Sequence, residues 1–388
     1  MSGRSFFQIP GPTNVPGRVL QAMGRPLINH RGPEFAGLLA DVTSGLKYVY
    51  QTVAGEVVVF PGSGTGGLEA ALVNAVPPGS RLVGVNQGAF SNRWADMALK
   101  LGYRVETIEL EWGGPLLPEQ VVEPLLHDGD REIRAVLITH NETSTGVTND
   151  LEKICRAVRA SGHPALILVD AVSSLGCMDL RFDEWGIDVA VTGAQKGLMC
   201  PPGLAIVAIS PGAAEAARMN TYPRFFWDIP AAVERLKKGQ CPCTPATSLL
   251  FGLREALVMI REEGLERILA RHAMLAEGVR RGILGMGLSL LVNGAEASNS
   301  VTAVRVPGGV DVKAFMGTAR DRYRIVLGGG LGKLEGKIFR IGHMGYLNET
   351  EVLAIISGIE MSMARCGAEI QPGTGVRACE EVFFKAAS

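Results

Sequence analysis

Residues 134–197 read RAVLITHNETSTGVTNDLEKICRAVRASGHPALILVDAVSSLGCMDLRFDEWGIDVAVTGAQKG, and this stretch decides the fold. Three β-branched apolar runs, RAVLITH (134–140), ALILVD (165–170) and DVAVT (188–192), have the length and composition of strands. LEKICRAVRA (151–160) places its apolar residues at helical period between the first two. Strands this apolar need cover on both faces, and a helix between successive strands lets them run parallel. The stretch predicts the α/β class, with a mostly parallel, doubly wound sheet.

The same alternation extends outward on both sides. EVVVF (56–60), RLVGVN (81–86) and RVETIEL (104–110) read as earlier strands, GLEAALVNAV (67–76) as a helix and LAIVAIS (204–210) as a later strand. After about residue 250 the character changes. One long helical stretch, from Phe251 to Gly287, leads into TAVRVP, a second helix around 311–322, the loop GGGLGKLEG (328–336) and IFRIGHMG. The spacing predicts an N-terminal arm (1–20), a large domain (21–262) and a smaller C-terminal α+β domain (263–388).

With 388 residues the chain exceeds what one hydrophobic core organises. Its 38 basic and 39 acidic residues lie in no long run of one sign, which argues against nucleic acid or an anionic membrane and for a small-molecule ligand. Seven scattered cysteines do not form a disulfide framework and suit a reducing compartment. The first residues, MSGRSFFQIPGPTN, lack the apolar core of a signal peptide, and no apolar run is long enough to cross a bilayer. A cytoplasmic location is expected.

Three features carry chemistry. PGSGTGG (61–67) is a glycine-rich turn between a strand and a helix, where free amides and the helix dipole suit a phosphate. It fits G-x-G-x-x-G formally. The acid that a dinucleotide ribose needs is missing at the end of the next strand, which reads Val85-Asn86-Gln87, and there is no Gly-Lys-Ser/Thr for a nucleoside triphosphate. A phosphate monoester suits the loop better; a bare tight turn is the alternative.

Asp170 ends a buried strand at the carboxyl edge, where open sheets bind ligands. An unpaired carboxylate there is costly, so it calls for a cationic partner, an N-cap or an ion pair. A protonated pyridine nitrogen would serve, and holding that proton keeps the ring an electron sink. Lys196, in VTGAQKGLMCPPG, follows the next strand among small residues. Partial burial lowers an amine's pKa and favours the neutral form that attacks an aldehyde, whereas an exposed loop would leave it an ordinary lysine. Loop, acid and lysine share one sheet edge and supply one partner for each end of a pyridoxal phosphate.

The order GSGTGG, LVDAVSS, TGAQKG-x-x-x-PPG and KIFRIGHMG resembles the class V, fold-type I aminotransferases, in the serine/alanine/aspartate–glyoxylate branch. The resemblance runs from IPGPTNVP through INHRGPEF, HNETSTGVTND and FDEWGIDVAVTG to LGKLEGKIFRIGHMG, and is closest to the serine–glyoxylate enzymes. It implies a transaminase using pyridoxal 5'-phosphate, with Lys196 as the Schiff-base lysine and proton shuttle and Asp170 on the ring nitrogen. It also implies Val172 and Phe90 on the two ring faces, Ser63, Gly64 and Thr65 at the phosphate, and Gln195 and Thr143 beside the cofactor. Arg340 matches the arginine that binds the substrate α-carboxylate, a role suited to a planar guanidinium fork. A homodimer is implied, with Thr244 reaching the phosphate of the neighbouring subunit.

One position departs from the family pattern. Relatives read Tyr-x-x-Thr where this chain has Cys241-Pro242-Cys243-Thr244, and a thiol is a weak donor in place of the phenol. No second pair with zinc-site spacing accompanies Cys241 and Cys243, so no metal is expected. His30-Arg31 lies in a segment near the active-site mouth in relatives, where it would read a second carboxylate or line the dimer contact. Two other readings compete with transamination. A desulfurase-type lyase needs a nucleophilic cysteine on the 328–336 loop, which has none, and a non-catalytic relative is disfavoured by Lys196, Asp170 and Arg340 occurring together.

Overall fold

The computed structural model describes residues 5–386. Its strands, in chain order, are β1 (Phe6–Gln8), β2 (Glu56–Gly62), β3 (Arg81–Asn86), β4 (Arg104–Glu109), β5 (Ile133–Thr139), β6 (Asn141–Glu142), β7 (Val147–Thr148), β8 (Leu166–Asp170), β9 (Val189–Gly193), β10 (Gly203–Ile209), β11 (Val301–Arg305), β12 (Ile325–Gly329) and β13 (Ile338–Gly342).

Seven of them form one sheet in the order β2-β10-β9-β8-β5-β3-β4. β10 is antiparallel to both its neighbours, and the pairings among β9, β8, β5, β3 and β4 are all parallel. The strands inside the sheet are buried almost throughout, as the Val- and Ile-rich runs require, because helices cover both faces. One face packs on the helices Pro33–Tyr50, Leu151–Ala160 and Thr247–Glu263, and the other on Gly64–Ala75 and Ala89–Lys100. The α/β, mostly parallel class read from the sequence is the class observed.

Crossing order places the site. β8 pairs with β5 on one side and β9 on the other, so Asp170, at the end of β8, and Lys196, three residues past the end of β9, leave the same edge. The glycine-rich turn following β2 opens the helix Gly64–Ala75, which packs across β9 and β10. Gly67 permits that contact: a methyl group there would come within 2.6 Å of Val191 Cγ1.

A second sheet, ordered β1-β12-β13-β11, has its own core, including Phe315, Phe339, Ile341 and Ile356. β1 joins it parallel to β12, so residues at opposite ends of the chain share one sheet. The single long helix expected from Phe251 to Gly287 is two helices, Thr247–Glu263 and Leu265–Gly285. Gly264 separates them with φ of 86°, a conformation that stops helical hydrogen bonding and that glycine adopts without a Cβ penalty. The apolar periodicity continues through this kink, which is why the pattern alone reads as one helix. Along Leu265–Gly285, Ile268 packs with the large sheet's core and Leu275 onward with the small sheet's.

Candidate active site

Asp170 is buried, with 6% of its surface exposed. One carboxylate oxygen accepts the Val172 amide at 2.9 Å. Burial is the main influence on its acidity and raises its pKa to about 7, helped by the negative charge of Glu142 and opposed by Lys196 and Arg93. An acid so placed is unfavourable as a bare anion, and a cation at its free oxygen would restore the ionised form.

Lys196 is also buried, at 8% exposure. Burial, reinforced by the positive charge of Arg340, lowers its amine to about 8 against the opposing pull of Asp170. The neutral amine, negligible for an exposed lysine near neutral pH, is therefore accessible here. The amine donates to the carbonyl of Pro10. Two further bonds tie the N-terminal segment to this turn: the Thr13 amide donates to the Gln195 carbonyl at 3.1 Å, and Thr13 Oγ1 to the Lys196 carbonyl at 3.2 Å. A side chain at Gly11, whose φ is 93°, would collide with the lysine.

Arg340 arrives from β13 of the second sheet. Its Nε donates to the Gly329 carbonyl at 2.8 Å and its Nη1 to the Thr143 carbonyl at 3.0 Å. Nη2 has no hydrogen-bond partner among the described residues. Burial lowers this guanidinium to about 10, with the Glu142 charge acting against the shift, so it stays cationic across the physiological range. Two nitrogens are thus held and the third is left open toward an anion.

The glycine-rich turn supplies the anion end. Ser63 caps the helix Gly64–Ala75, its Oγ accepting from the Gly66 amide at 3.5 Å, and Ser63 and Thr65 are exposed. The other amides of the first turn lack helical acceptors and are available to a phosphate. Gly64 presses on Val172, since a methyl group there would lie 2.7 Å from Val172 Cγ2; the turn and the segment after Asp170 are therefore neighbours. Gln195 lies beside Lys196 with its Oε1 buried and without a hydrogen-bond partner among the described residues. Phe90, half-buried at the start of the helix Ala89–Lys100, has the Arg93 guanidinium 4.9 Å from its ring centroid.

The structure brings together Asp170, Val172, Gly64, Lys196, Gln195, Thr143 and Arg340. Thr143 is turned away from a free role at its hydroxyl, which donates to Ser173 Oγ at 2.7 Å. Thr244 stands apart, exposed on the loop before the helix Thr247–Glu263 and in none of these contacts among the described residues. His30 and Arg31 likewise lie on an outer loop, where the Arg31 amide donates to Asn29 Oδ1. Cys241 is half-buried in a small apolar cavity beside Leu39, Phe60 and Leu250, and burial pushes its thiol up to about 11.

Sequence reasoning missed two parts of this site. The Pro10–Thr13 segment gave no sign of reaching Lys196, because that contact joins residues 186 positions apart in the chain. Glu142, within HNETSTG, is the second, with no role assigned by the sequence pattern. The available signal was an acid three residues beyond a mostly buried strand, where a carboxylate drawn inside needs a partner.

A buried acid at a strand end, a buried amine on the neighbouring turn, an orphaned amide oxygen and an open helix N-terminus fit a flat, phosphorylated, basic heteroaromatic aldehyde at both its ends. The family comparison agrees: the aminotransferase class-V model matches residues 6–331, and the chain belongs to that family, as a pyridoxal-phosphate-dependent transaminase of fold type I. Among curated proteins it is similar to the L-aspartate–glyoxylate aminotransferase of Paracoccus denitrificans, with 44% identity over 99% of this chain and 97% of that one. It is 42% identical to the serine–glyoxylate aminotransferase of Methylorubrum extorquens, over 97% of this chain and 95% of that one. Among solved structures, pyridoxamine–pyruvate aminotransferase from Mesorhizobium loti superposes with a TM-score of 0.93 at 30% identity, covering 100% of this chain and 98% of that one.

Proposed function

We propose that this transaminase moves the amino group of a small amino acid to glyoxylate, yielding glycine and a 2-oxo acid, with serine as the favoured donor and alanine or aspartate as alternatives. The observation that carries the reading is the convergence of Lys196, Asp170 and Arg340, three buried charged groups from two sheets. The serine– and aspartate–glyoxylate relatives support the choice of acceptor. The greater identity to the aspartate enzyme keeps that donor as the second reading.

When bound, pyridoxal phosphate supplies the electron sink for charge at the amino acid Cα. The chain supplies position and proton transfer. Arg340 Nη2 binds the donor's α-carboxylate and fixes which Cα bond faces the ring. Lys196, its amine lowered to about 8, would hold the group by its aldehyde and, once displaced by the donor, serve as the base for the Cα proton. Asp170 would pair with the ring nitrogen and keep it protonated. Val172 and Phe90 would flank the ring, Ser63, Gly64 and Thr65 would take the phosphate, and Gln195 and Thr143 would line the remaining edge.

Thr244 is exposed outside this cluster, so its part in phosphate binding requires a second copy of the chain. The same reading therefore includes a homodimer with sites at the subunit interface. All seven cysteines are free, which suits a cytoplasmic enzyme; among the described residues no helix is long and apolar enough to cross a membrane. The division into an arm (1–20), a large domain (21–262) and a small domain (263–388) is kept. The helix break at Gly264 favours it, and the pairing of β1 with β12 attaches part of the arm to the small domain.

The test is a matrix of initial rates on purified enzyme, with serine, alanine and aspartate against glyoxylate and pyruvate. Serine with glyoxylate is expected to give the highest kcat/KM. Undetectable rates for every pair would refute the proposal, and sulfide release from cysteine would favour a lyase.

A further inference from the structure

Glu142 is fully buried at 0% exposure, and no lysine or arginine forms an ion pair with it among the described residues. Its charge is held by amides and one hydroxyl. Glu142 Oε2 accepts the Phe90 amide at 3.1 Å and the Ser91 amide at 2.8 Å, while Oε1 accepts the Ser144 amide at 3.0 Å and Ser144 Oγ at 2.7 Å. The first pair are opening amides of the helix Ala89–Lys100, where a negative charge is favoured by the helix dipole. This helix start has no capping side chain of its own, since the residue before it is Gly88.

Gly88 gives an independent sign that the arrangement is specific. Its φ of 176° and ψ of −175° are extended and open to any residue. What excludes a side chain is Glu142, whose Cγ and carboxyl carbon occupy the space a Cβ would need. The glycine is there to admit the carboxylate.

We infer that Glu142 is a positioning residue for the cofactor: it pins the backbone of Phe90 and sets the ring of that residue against the face of the bound group, between Asp170 and Arg340. This inference rests on the proposed place of Phe90 beside the cofactor ring. The negative charge of Glu142 also reaches both functional groups, acting on Asp170 and on Arg340. Because the carboxylate takes four donors, an amide in its place turns an NH2 group toward N–H groups and loses the cap on one side.

The test compares wild type, E142Q and G88A, each stripped of cofactor and then titrated with pyridoxal phosphate. Three quantities are read: the melting midpoint of the stripped protein, the cofactor dissociation constant, and the circular dichroism of the cofactor's visible band, which reports ring orientation. The expected result is a stripped E142Q that melts within a few degrees of wild type, binds cofactor at least ten times more weakly and shows a reduced or inverted dichroic band. G88A, which changes no charge, should do the same by displacing the carboxylate.

A folded E142Q with wild-type affinity and dichroism overturns the inference. If E142Q fails to fold, G88A decides: normal affinity and dichroism in G88A overturn it, and weakened binding with altered dichroism supports it. Failure of wild type itself to bind the cofactor would refute the underlying functional reading, which separates the two.

Discussion

Asp170 shows what the site costs the fold. Its carboxyl is shifted up to about 7 chiefly by burial. In the cofactor-free protein the folded chain therefore holds a proton that the unfolded chain has already released between pH 4 and 7. Stability contributed by the protonated acid is complete below about pH 4 and is lost as pH rises to about 7. Asp170→Asn keeps an oxygen for the Val172 amide and removes the titration. It should stabilise the cofactor-free protein at pH 8 by up to about 4 kcal/mol, measured by urea unfolding, and flatten its pH dependence across that window. An unchanged pH slope would show that Asp170 is ionised in the folded chain at all those values. With cofactor present the order should reverse, because the ring nitrogen loses its anionic partner.

Arg340 permits a sharper separation of binding from chemistry. A lysine cannot make the two backbone bonds to Gly329 and Thr143 while presenting a further donor to substrate. Arg340→Lys should raise KM for the amino donor about 10- to 100-fold, the loss of one charge-assisted hydrogen bond, with the cofactor absorbance unchanged. A normal KM would remove Arg340 from the carboxylate site.

At the scale of elements, the helix Gly64–Ala75 brings the anion-binding turn to the lysine edge by packing on β9 and β10 through Gly67. Gly67→Ala forces a methyl group into Val191 and should destabilise the protein by about 1–3 kcal/mol, read from thermal melts. Cofactor affinity should fall with it, since the turn that holds the phosphate moves with the helix. The strands were legible because their burial leaves so little freedom: RLVGVN reads and folds as β3, 81–86; the helix LEKICRAVRA, amphipathic at helical period, likewise folds over 151–160 as read. The break at Gly264 was not, because helical periodicity continues through it and a positive φ is a property of one residue. Antiparallel β10 was also illegible, since both parallel and antiparallel buried strands read as apolar runs.

At the scale of the whole molecule, the site depends on contacts that sequence spacing does not encode. Asp170 and Lys196 were readable because adjacent parallel strands deliver their ends to one edge. Arg340 was readable only through the family pattern, as it comes from the second sheet and meets Thr143 across 197 positions of chain. Pro10 over Lys196 and Glu142 under Phe90 were not assigned at all. Each is a contact between residues distant in the chain, 186 and about 50 positions apart, whose partner no local spacing names. The near balance of 38 basic and 39 acidic residues matches a protein whose charges act locally, at a small buried site, rather than as a surface field.

The most direct test of the central claim is to load the protein with pyridoxal phosphate, reduce it with borohydride and map the modified peptide by mass spectrometry. A single phosphopyridoxyl group on Lys196, absent when serine is added with no acceptor before reduction, is the predicted result. Modification of a different lysine, or none, would contradict the account.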